Sequence, residues 1–236
     1  MAEIRALTAH DEFHEAVRLQ RAIWGFDDVD VAPARLFVVA SRIGGQVLGA
    51  FDGLRMVGFL LAIPGIQRSG RAYIHSHMLG VLAEYQNQGV GRALKLAQRE
   101  EALARGIDLI EWTFDPLQLK NAFFNVERLG AIVRRYVHNQ YGTTSSPLHG
   151  GLPTDRCVAE WWLRLPPVEA IVSGRERERS AVKRCVRVPV NMADPRAIQS
   201  ATADALEQGF RDGLAVIGFE RSDEAGTYLL GKWTPE

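Results

Sequence analysis

Cysteines and long apolar runs are scarce in this sequence. Only two of its 236 residues are cysteines, Cys157 and Cys185, which is too few for a disulfide framework or a zinc motif. We therefore expect two reduced thiols. No apolar run approaches the ~20 residues that a helix needs to cross a bilayer, and the first residues lack the apolar core of a signal peptide. The expectation is a cytoplasmic protein with no membrane partner.

An excess of charge of one sign is also missing. The 28 lysines and arginines balance 28 acidic residues, so the formal net charge is zero. A neutral chain is not expected to bind nucleic acid through long-range attraction to phosphates. The composition, 47% hydrophobic and 24% charged, is that of an ordinary globular protein. It suits one large domain, or a domain with an extension.

The most informative stretch runs from residue 73 to residue 106. It begins with a strand candidate rich in apolar residues and ends with an amphipathic helix. Between the two lies Gln86-x-x-Gly89-x-Gly91. Glycines at a strand-to-helix turn let backbone N–H groups point outward, and the helix N-terminus adds partial positive charge. The pattern predicts a site for an anion such as a pyrophosphate.

This turn carries a family resemblance. The segment Gln86-Asn87-Gln88-Gly89-Val90-Gly91-Arg92-Ala93 resembles the acyl-CoA-binding motif of the GCN5-related N-acetyltransferase (GNAT) superfamily, Gln/Arg-x-x-Gly-x-Gly/Ala. The preceding segment Leu79-Gly80-Val81 is similar to the strand that pairs with the pantetheine arm in that superfamily. The resemblance implies that both segments bind acetyl-CoA or another acyl-CoA. A dinucleotide-binding turn would need a third glycine where Leu94 stands.

The order of predicted elements supports the same family. Periodicity and turn residues predict β-α-α-β-β-β-α-β-α-β-β between residues 4 and 165, which is similar to the N-acetyltransferase fold. We expect an α/β (α+β) fold with a central mixed sheet flanked by helices. Pro166-Pro167 marks a boundary. Residues 1–165 are then the GNAT domain, and residues 166–236 a β-α-β extension that adds to the sheet or makes a homodimer contact. The alternating charges of residues 175–179 are expected to be solvated.

Two histidines are the candidate general base. His75 and His77 alternate along one strand, so both side chains are expected on the same face. Histidine titrates near ~6.5, and a neutral imidazole accepts a proton directly or through water. The pair is similar to that of arylalkylamine N-acetyltransferases, in which two histidines relay a proton through water. Two alternatives stay open: structural histidines held by hydrogen bonds, and a metal site, for which no further ligand is suitably spaced.

The general acid is where the sequence departs from the family. Many members carry a tyrosine shortly before a Leu-Gly pair, and the corresponding residue here is Val126. Tyr141 is the alternative candidate, and packing is its competing explanation. A thiol leaving group has a pKa near ~8.5 and does not strictly need an acid.

Further polar and aromatic residues are weaker candidates. Asn121 and Asn125 are four apart on a predicted helix and therefore share a face, either toward the pantetheine amides or toward solvent. An acceptor pocket could use aromatic rings, arginines for a carboxylate, or acids for a cationic amine. These are, in that order, Trp24, Trp112 and Phe114; Arg134, Arg135 and Arg156; Glu111 and Asp115.

The leading hypothesis is a CoA-dependent N-acyltransferase, most simply an acetyltransferase, acting on the amine of a small molecule and using no metal. One alternative is succinyl transfer to an amino acid. Another is a non-catalytic acyl-CoA-binding or interaction module. A protein or peptide acetyltransferase is the third alternative.

Overall fold

The computed structural model of the chain describes residues 2–142 and 151–234. These residues form two compact units. The first unit comprises residues 2–111, and the second comprises residues 112–142 and 151–234. None of the described helices is long and apolar enough to cross a membrane.

The first unit begins with a strand and two helices and continues through three strands and a helix. In chain order these are β1 (Glu3–Ala6), α1 (His10–Trp24), α2 (Ala34–Arg42), β2 (Gln46–Asp52), β3 (Arg55–Ile66), β4 (Ala72–Val81), a 3-10 turn (Ala83–Tyr85) and α3 (Val90–Ala104). Strand β5 (Leu109–Phe114) follows and spans the division between the units. The order β-α-α-β-β-β-α-β expected from the sequence is confirmed.

The sheet of the first unit is mixed, as predicted. Strands β1 to β4 pair in sequence order and antiparallel, whereas β5 pairs parallel to β4. The parallel register places Ile74 beside Ile110 and His75 beside Glu111. The register between β3 and β4 shifts by one residue: Leu61 pairs with Met78, and the next residue, Ala62, pairs with Ser76. Strand β4 therefore has one extra residue, His77, at a β-bulge.

Helices cover the sheet of the first unit. Phe59 and Leu61 of β3 belong to one apolar cluster with Phe13 of α1 and Phe37 of α2. Since side chains alternate along a strand, Ala62 lies on the opposite face, and with it its partner Ser76. Helix α3 covers that second face, where it contacts β2, β3 and β4.

The second unit holds the remaining elements. They are α4 (Leu119–Phe123), a π-helical turn (Phe124–Arg128), β6 (Ile132–Val137), β7 (Arg156–Trp162), α5 (Pro166–Val172), β8 (Val182–Pro189), α6 (Pro195–Arg211), β9 (Leu214–Arg221) and β10 (Ala225–Lys232). The strands lie in the order β7-β6-β9-β10-β8, and all four pairings are antiparallel.

Two elements of the second unit differ from the sequence prediction. The predicted helix that carries Asn121 and Asn125 is a short α-helix that widens into a π-helical turn. Helix α5 was not predicted, because Pro166-Pro167 was interpreted as a boundary. Proline is well tolerated in the first turn of a helix, where its missing N–H is not needed, and here the two prolines begin α5.

Residues 166–234 are integrated into the second unit. Strand β9 pairs with β6, with Val216 beside Val133. Arg177 and Arg179 contact the Glu127 carboxylate at 2.8 and 2.6 Å. The expectation that residues 175–179 are all solvated is therefore wrong, since the Arg177 side chain is only 9% exposed. The domain boundary at residue 166 stays a prediction, and the compact units divide at residue 111.

Candidate functional site

The glycine-containing turn lies between β4 and α3 in the first unit. Gly89 is the N-cap of α3 and has a φ of 83°, and Asn87 is also left-handed with a φ of 61°. A Cβ added at Gly89 would meet no atom within 4 Å, and one added at Gly91 would make only ordinary contacts. The chain's own packing does not require glycine at position 91. The space beside the backbone is open at Gly89, and the absence of a side chain at Gly91 lets a phosphate approach the backbone there as well.

The first turn of α3 contains backbone N–H groups that precede the helical hydrogen bonds. The first intrahelical bond runs from the Ala93 N–H to the Gly89 carbonyl oxygen at 2.9 Å. The N–H groups of Val90, Gly91 and Arg92 precede it, and the N-cap supplies no side-chain acceptor. No acidic side chain occupies this turn. A 15-residue helix with such an N-terminus fits an anionic group, so these backbone groups could hold the pyrophosphate of an acyl-CoA.

The glutamines of the motif form bonds within the turn. The Gln86 side-chain amide donates to the Val81 carbonyl oxygen at 3.1 Å, and the Gln88 amide donates to the Glu84 carbonyl oxygen at 2.6 Å. Both amides therefore fix the path of the chain from strand to helix. Cofactor binding by Gln86 and Gln88, expected from the resemblance, stays a prediction.

Leu79, Gly80 and Val81 form the end of β4. They pair with Leu60, Phe59 and Gly58 of β3, respectively. A Cβ at Gly80 would lie 2.8 Å from the Ile23 side chain, so glycine allows helix α1 to approach the strand closely. The assignment of this segment to the pantetheine arm stays a prediction.

His75 and His77 lie close together, as their spacing predicts. Their ring centroids are 6.1 Å apart and the rings are tilted by 40°. Both side chains are half-buried. Neither imidazole has a hydrogen-bond partner within residues 2–142 and 151–234. The described residues therefore do not support the alternative that His75 and His77 are structural histidines held by hydrogen bonds. Both rings are free to bond with water or a substrate.

Burial sets the protonation state of the pair. Desolvation lowers the pKa of His75 from 6.5 to about 4, with smaller contributions from His77 and Lys95. Desolvation also lowers the pKa of His77. Both rings are therefore neutral at physiological pH and can accept a proton without first losing one.

Glu111 is the register partner of His75 on β5. Residues paired in register have side chains on the same face of a sheet. The Glu111 side chain is buried, and its carboxylate accepts a hydrogen bond from the Gln67 amide at 3.2 Å. A buried carboxylate beside a neutral imidazole can attract a cationic amine.

Lys95 of α3 is a residue that the sequence analysis missed. Its side chain is only 3% exposed, and its Nζ donates to the Ser76 hydroxyl at 3.2 Å and to Gln98 Oε1 at 2.6 Å. Desolvation lowers the pKa of Lys95 well below its usual value. One sequence signal was available, because Lys95 lies on the same helical stripe as Leu94 and Ala102, which are buried.

Tyr141, the candidate acid, belongs to the second unit. Its side chain is exposed, its hydroxyl lies 2.8 Å from the Thr113 hydroxyl, and the Arg156 guanidinium is 5.5 Å from the ring centroid. Val126, at the position where the family often has a tyrosine, is fully buried. A role for Tyr141 as the acid stays a prediction.

The other candidates in the second unit are two asparagines and two arginines. Asn121 is exposed and Asn125 is buried, because the π-helical turn ends the regular helix between them. The shared face expected of the two asparagines is not formed, and their contact with the cofactor stays a prediction. Arg134 and Arg135 lie 2.6 and 3.5 Å from the buried Glu160 carboxylate.

The aromatic candidates are packed against other rings. Trp24 packs against Phe59 in the first unit, and Trp112 packs edge-on against Trp161 in the second. Phe114 is buried as well. These contacts favour core packing over an acceptor pocket. No group of three or more metal-ligating side chains occurs among the residues that the structure describes.

Comparison with known proteins places this geometry in context. Residues 8–130 match the family model described as the acetyltransferase (GNAT) family. The match covers more than half of the 236 residues and includes β4, the turn and α3. No curated protein sequence matches the chain significantly.

Solved structures share the fold at low identity. The ribosomal-protein alanine N-acetyltransferase of Escherichia coli is 18% identical, with a TM-score of 0.54 over 70% of this chain and 96% of its own. NAA60 of Arabidopsis thaliana, solved with acetyl-CoA, is 12% identical, with a TM-score of 0.56 over 69% of this chain and 99% of its own. A GNAT acetyltransferase of Streptococcus pneumoniae is 16% identical, with a TM-score of 0.54 over 68% and 98%.

Proposed function

This chain belongs to the acetyltransferase (GNAT) family, and from that premise we propose that it transfers an acyl group from acyl-CoA to the amine of a small molecule. The observation that carries the proposal is the pair of neutral imidazoles on the strand that leads into the turn at Gly89, which have no hydrogen-bond partner in the part of the chain that the structure describes. A module that only binds acyl-CoA has no use for such a base.

Residues of the first unit divide the work of the reaction. When bound, acyl-CoA supplies an activated acyl thioester. The N–H groups of Val90, Gly91 and Arg92 hold its pyrophosphate at the start of α3. His75, with His77 beside it, accepts the proton that the acceptor amine loses as its nitrogen forms the new amide bond. The bond between the acyl carbon and sulfur breaks in the same reaction, and CoA leaves as its thiolate. A backbone N–H within residues 79–81 is the proposed donor to the acyl oxygen, on which negative charge develops.

The acceptor is proposed to be a cationic amine. Glu111 is buried in register with His75 and provides a negative charge on the same face of the sheet. The arginines considered for a substrate carboxylate are less suitable, because Arg134 and Arg135 both lie beside Glu160. An acetyl donor is the simplest proposal, with succinyl transfer to an amino acid as the variant.

A thiol-release screen tests the proposal. Purified protein is mixed with acetyl-CoA or succinyl-CoA and with panels of amines, amino acids and peptides with free N-termini. The peptide panel is included because the E. coli structure is of a protein N-acetyltransferase. Release of CoA with a small amine supports the proposal. Release with peptides alone would replace the acceptor class, and CoA binding without any transfer would favour a binding module.

A further inference from the structure

A chain of buried polar side chains links helix α3 to the histidine strand. Lys95 Nζ bonds to Ser76 and to Gln98, and the Gln46 amide donates to the Gln98 carbonyl oxygen at 2.9 Å. All four side chains are buried, with exposed fractions between 0 and 7%. Three elements of the first unit, β2, α3 and β4, therefore meet through polar contacts in addition to the apolar residues that α3 buries.

This arrangement is costly for stability. An amine buried in a protein core loses its hydration, which the lowered pKa of Lys95 reflects. Gln46 Oε1 and Gln98 Nε2 are also buried without a hydrogen-bond partner in the described residues. A straight apolar side chain at position 95 would avoid the cost of burying the amine. Packing alone does not explain a lysine at this position.

The position of Ser76 connects Lys95 to the histidine pair. Ser76 lies between His75 and His77, at the bulge where β4 carries its extra residue. Its side chain is on the face covered by α3, whereas His75 is on the face of its partner Ile63, which packs with α1 and α2. Lys95 thus holds the bulge from one side of the sheet while the histidine acts from the other.

Three titratable groups lie near His75, and one of them, Lys95, is on the opposite side of the sheet. His77 lies on the same strand, Glu111 is paired in register on β5, and Lys95 is on α3. Strand β3 contributes only the apolar Ile63 opposite His75. A change at Lys95 therefore alters one of three titratable neighbours and leaves the other two in place.

We propose that Lys95 is a positioning residue, which through Ser76 fixes the bulge of β4 and so aligns His75 and His77 with the helix whose first turn holds the pyrophosphate. It does not contact the reacting atoms itself. The proposal rests on the proposed function for its catalytic meaning, but the alignment of the two rings can be measured without turnover.

The test compares Lys95→Met with wild type and with Lys183→Met. Methionine keeps the unbranched shape and removes the amine, and Lys183 is an exposed lysine on strand β8 that serves as the control. Nuclear magnetic resonance of the histidine rings follows their chemical shifts and titration midpoints. We expect the two rings to shift and the His75 midpoint to rise above about 4, because Lys95 contributes to lowering that pKa. Lys183→Met should leave both unchanged.

Turnover provides the second readout. Misplacing a catalytic group by about 1 Å can cost ~100-fold in rate, so Lys95→Met is expected to lower kcat by ~10- to 100-fold. The KM for acyl-CoA should change little, since the N–H groups of the α3 turn remain. Ser76→Ala removes the other end of the contact and should give the same ring shifts and the same loss. It also provides the test if Lys95→Met does not fold.

Folded variants with wild-type ring shifts, titration midpoints and kcat would overturn the proposal and make the network purely structural. If no acyl transfer is found in wild type, the proposed function fails. The ring measurements then still decide whether Lys95 and Ser76 position the pair.

Discussion

His75 and His77 differ from ordinary exposed histidines because burial keeps their rings neutral well below pH 6.5. A base is active in its neutral form, so turnover should fall only as the pH drops through the lowered pKa of the pair. The acid limb of kcat is therefore expected below 6.5, toward about 4, and not near the usual histidine value that the sequence suggests.

Replacing both rings tests that assignment. His75→Gln with His77→Gln keeps polarity and removes the titrating groups, and general-base assistance is worth ~10²–10⁴ in rate. We expect a loss of that size and loss of the acid limb, with CoA affinity by calorimetry close to wild type. Equal turnover in the double variant would show that the histidines are not the base.

The same shift predicts an acid-sensitive fold. The unfolded chain protonates His75 near 6.5 and the folded chain only near 4, so the unfolded state binds more protons between these values. Stability is therefore lost as the pH falls through this window. At ~1.4 kcal/mol per pKa unit, the loss is at most ~3.5 kcal/mol, and solvent screening of a half-buried ring reduces it.

Urea unfolding at pH 7 and pH 4.5 measures this effect. His75→Gln should reduce the difference in unfolding free energy between the two pH values. His14→Gln, at an exposed position on α1, serves as the control and should leave it unchanged. An equal pH dependence in all three proteins would contradict the lowered pKa.

At this scale the sequence predicted some neighbours and not others. The proximity of His75 and His77 followed from strand alternation, although the bulge at His77 is a tertiary feature that no local pattern announces. Lys95 lies on the buried stripe of α3, but lysine is almost never buried without a partner, so the stripe alone did not predict its burial. Its partner Ser76 is 19 residues away on another element.

At the scale of elements, the phosphate site proposed at the start of helix α3 can be tested most directly. Gly91 lies in the first helical turn, and a Cβ there makes only ordinary contacts. An acid at a helix N-terminus is tolerated or favourable for stability. Gly91→Glu should therefore fold and yet lose CoA affinity, because its carboxylate takes the place of the phosphate and repels it.

Calorimetric titration with CoA, together with a thermal melt, measures both effects. Ala104→Glu adds the same charge at the exposed far end of the same helix, so it controls for net charge. Position 91 is a better choice than Gly89, whose φ of 83° would strain any other residue. A well-folded Gly91→Glu variant with wild-type CoA affinity would refute the phosphate site.

Element prediction succeeded where the pattern is local. The hairpin of β2 and β3 follows from Asp52-Gly53 between two apolar runs. The π-helical turn after α4 was not predictable, because its Asn125 carbonyl oxygen accepts from Ala131 beyond the helix. That bond depends on the path of the chain into β6. Helix periodicity in the sequence contains no information about this path.

The chain forms two compact units that divide at residue 111, where the sequence showed no boundary. The proline pair at 166 begins a helix, and the strands that follow share a sheet with β6 and β7. Sheet addition, one of the two roles expected of residues 166–236, agrees with the pairing of β9 to β6. Long-range strand pairing of this kind leaves no periodic trace in a single sequence, so the choice between sheet addition and a dimer contact could not be made from it.

Removing residues 166–236 should therefore unfold the second unit. Truncation would take away the β9 partner of β6 and the hydrogen bond from the Tyr228 hydroxyl to the Pro116 carbonyl oxygen. Glu127 would lose Arg177 and Arg179, as well as the Phe219 N–H that donates to it at 2.6 Å. Breaking a buried ion pair by removing one partner typically costs ~3–5 kcal/mol, which is a large part of a domain's ~5–15 kcal/mol.

A graded variant separates this mechanism from general damage. Glu127→Gln keeps the shape but weakens both arginine contacts, so we expect ~1–3 kcal/mol lower stability in urea unfolding, below the cost of full removal. Glu178→Gln, at an exposed position in the same charged segment, should stay within ~0.5 kcal/mol of wild type. Size-exclusion chromatography of all variants tests the dimer contact. A truncated chain that melts like the full chain but elutes as a monomer, where the full chain elutes as a dimer, would show that the extension serves assembly, because loss of a core element must lower the melting temperature.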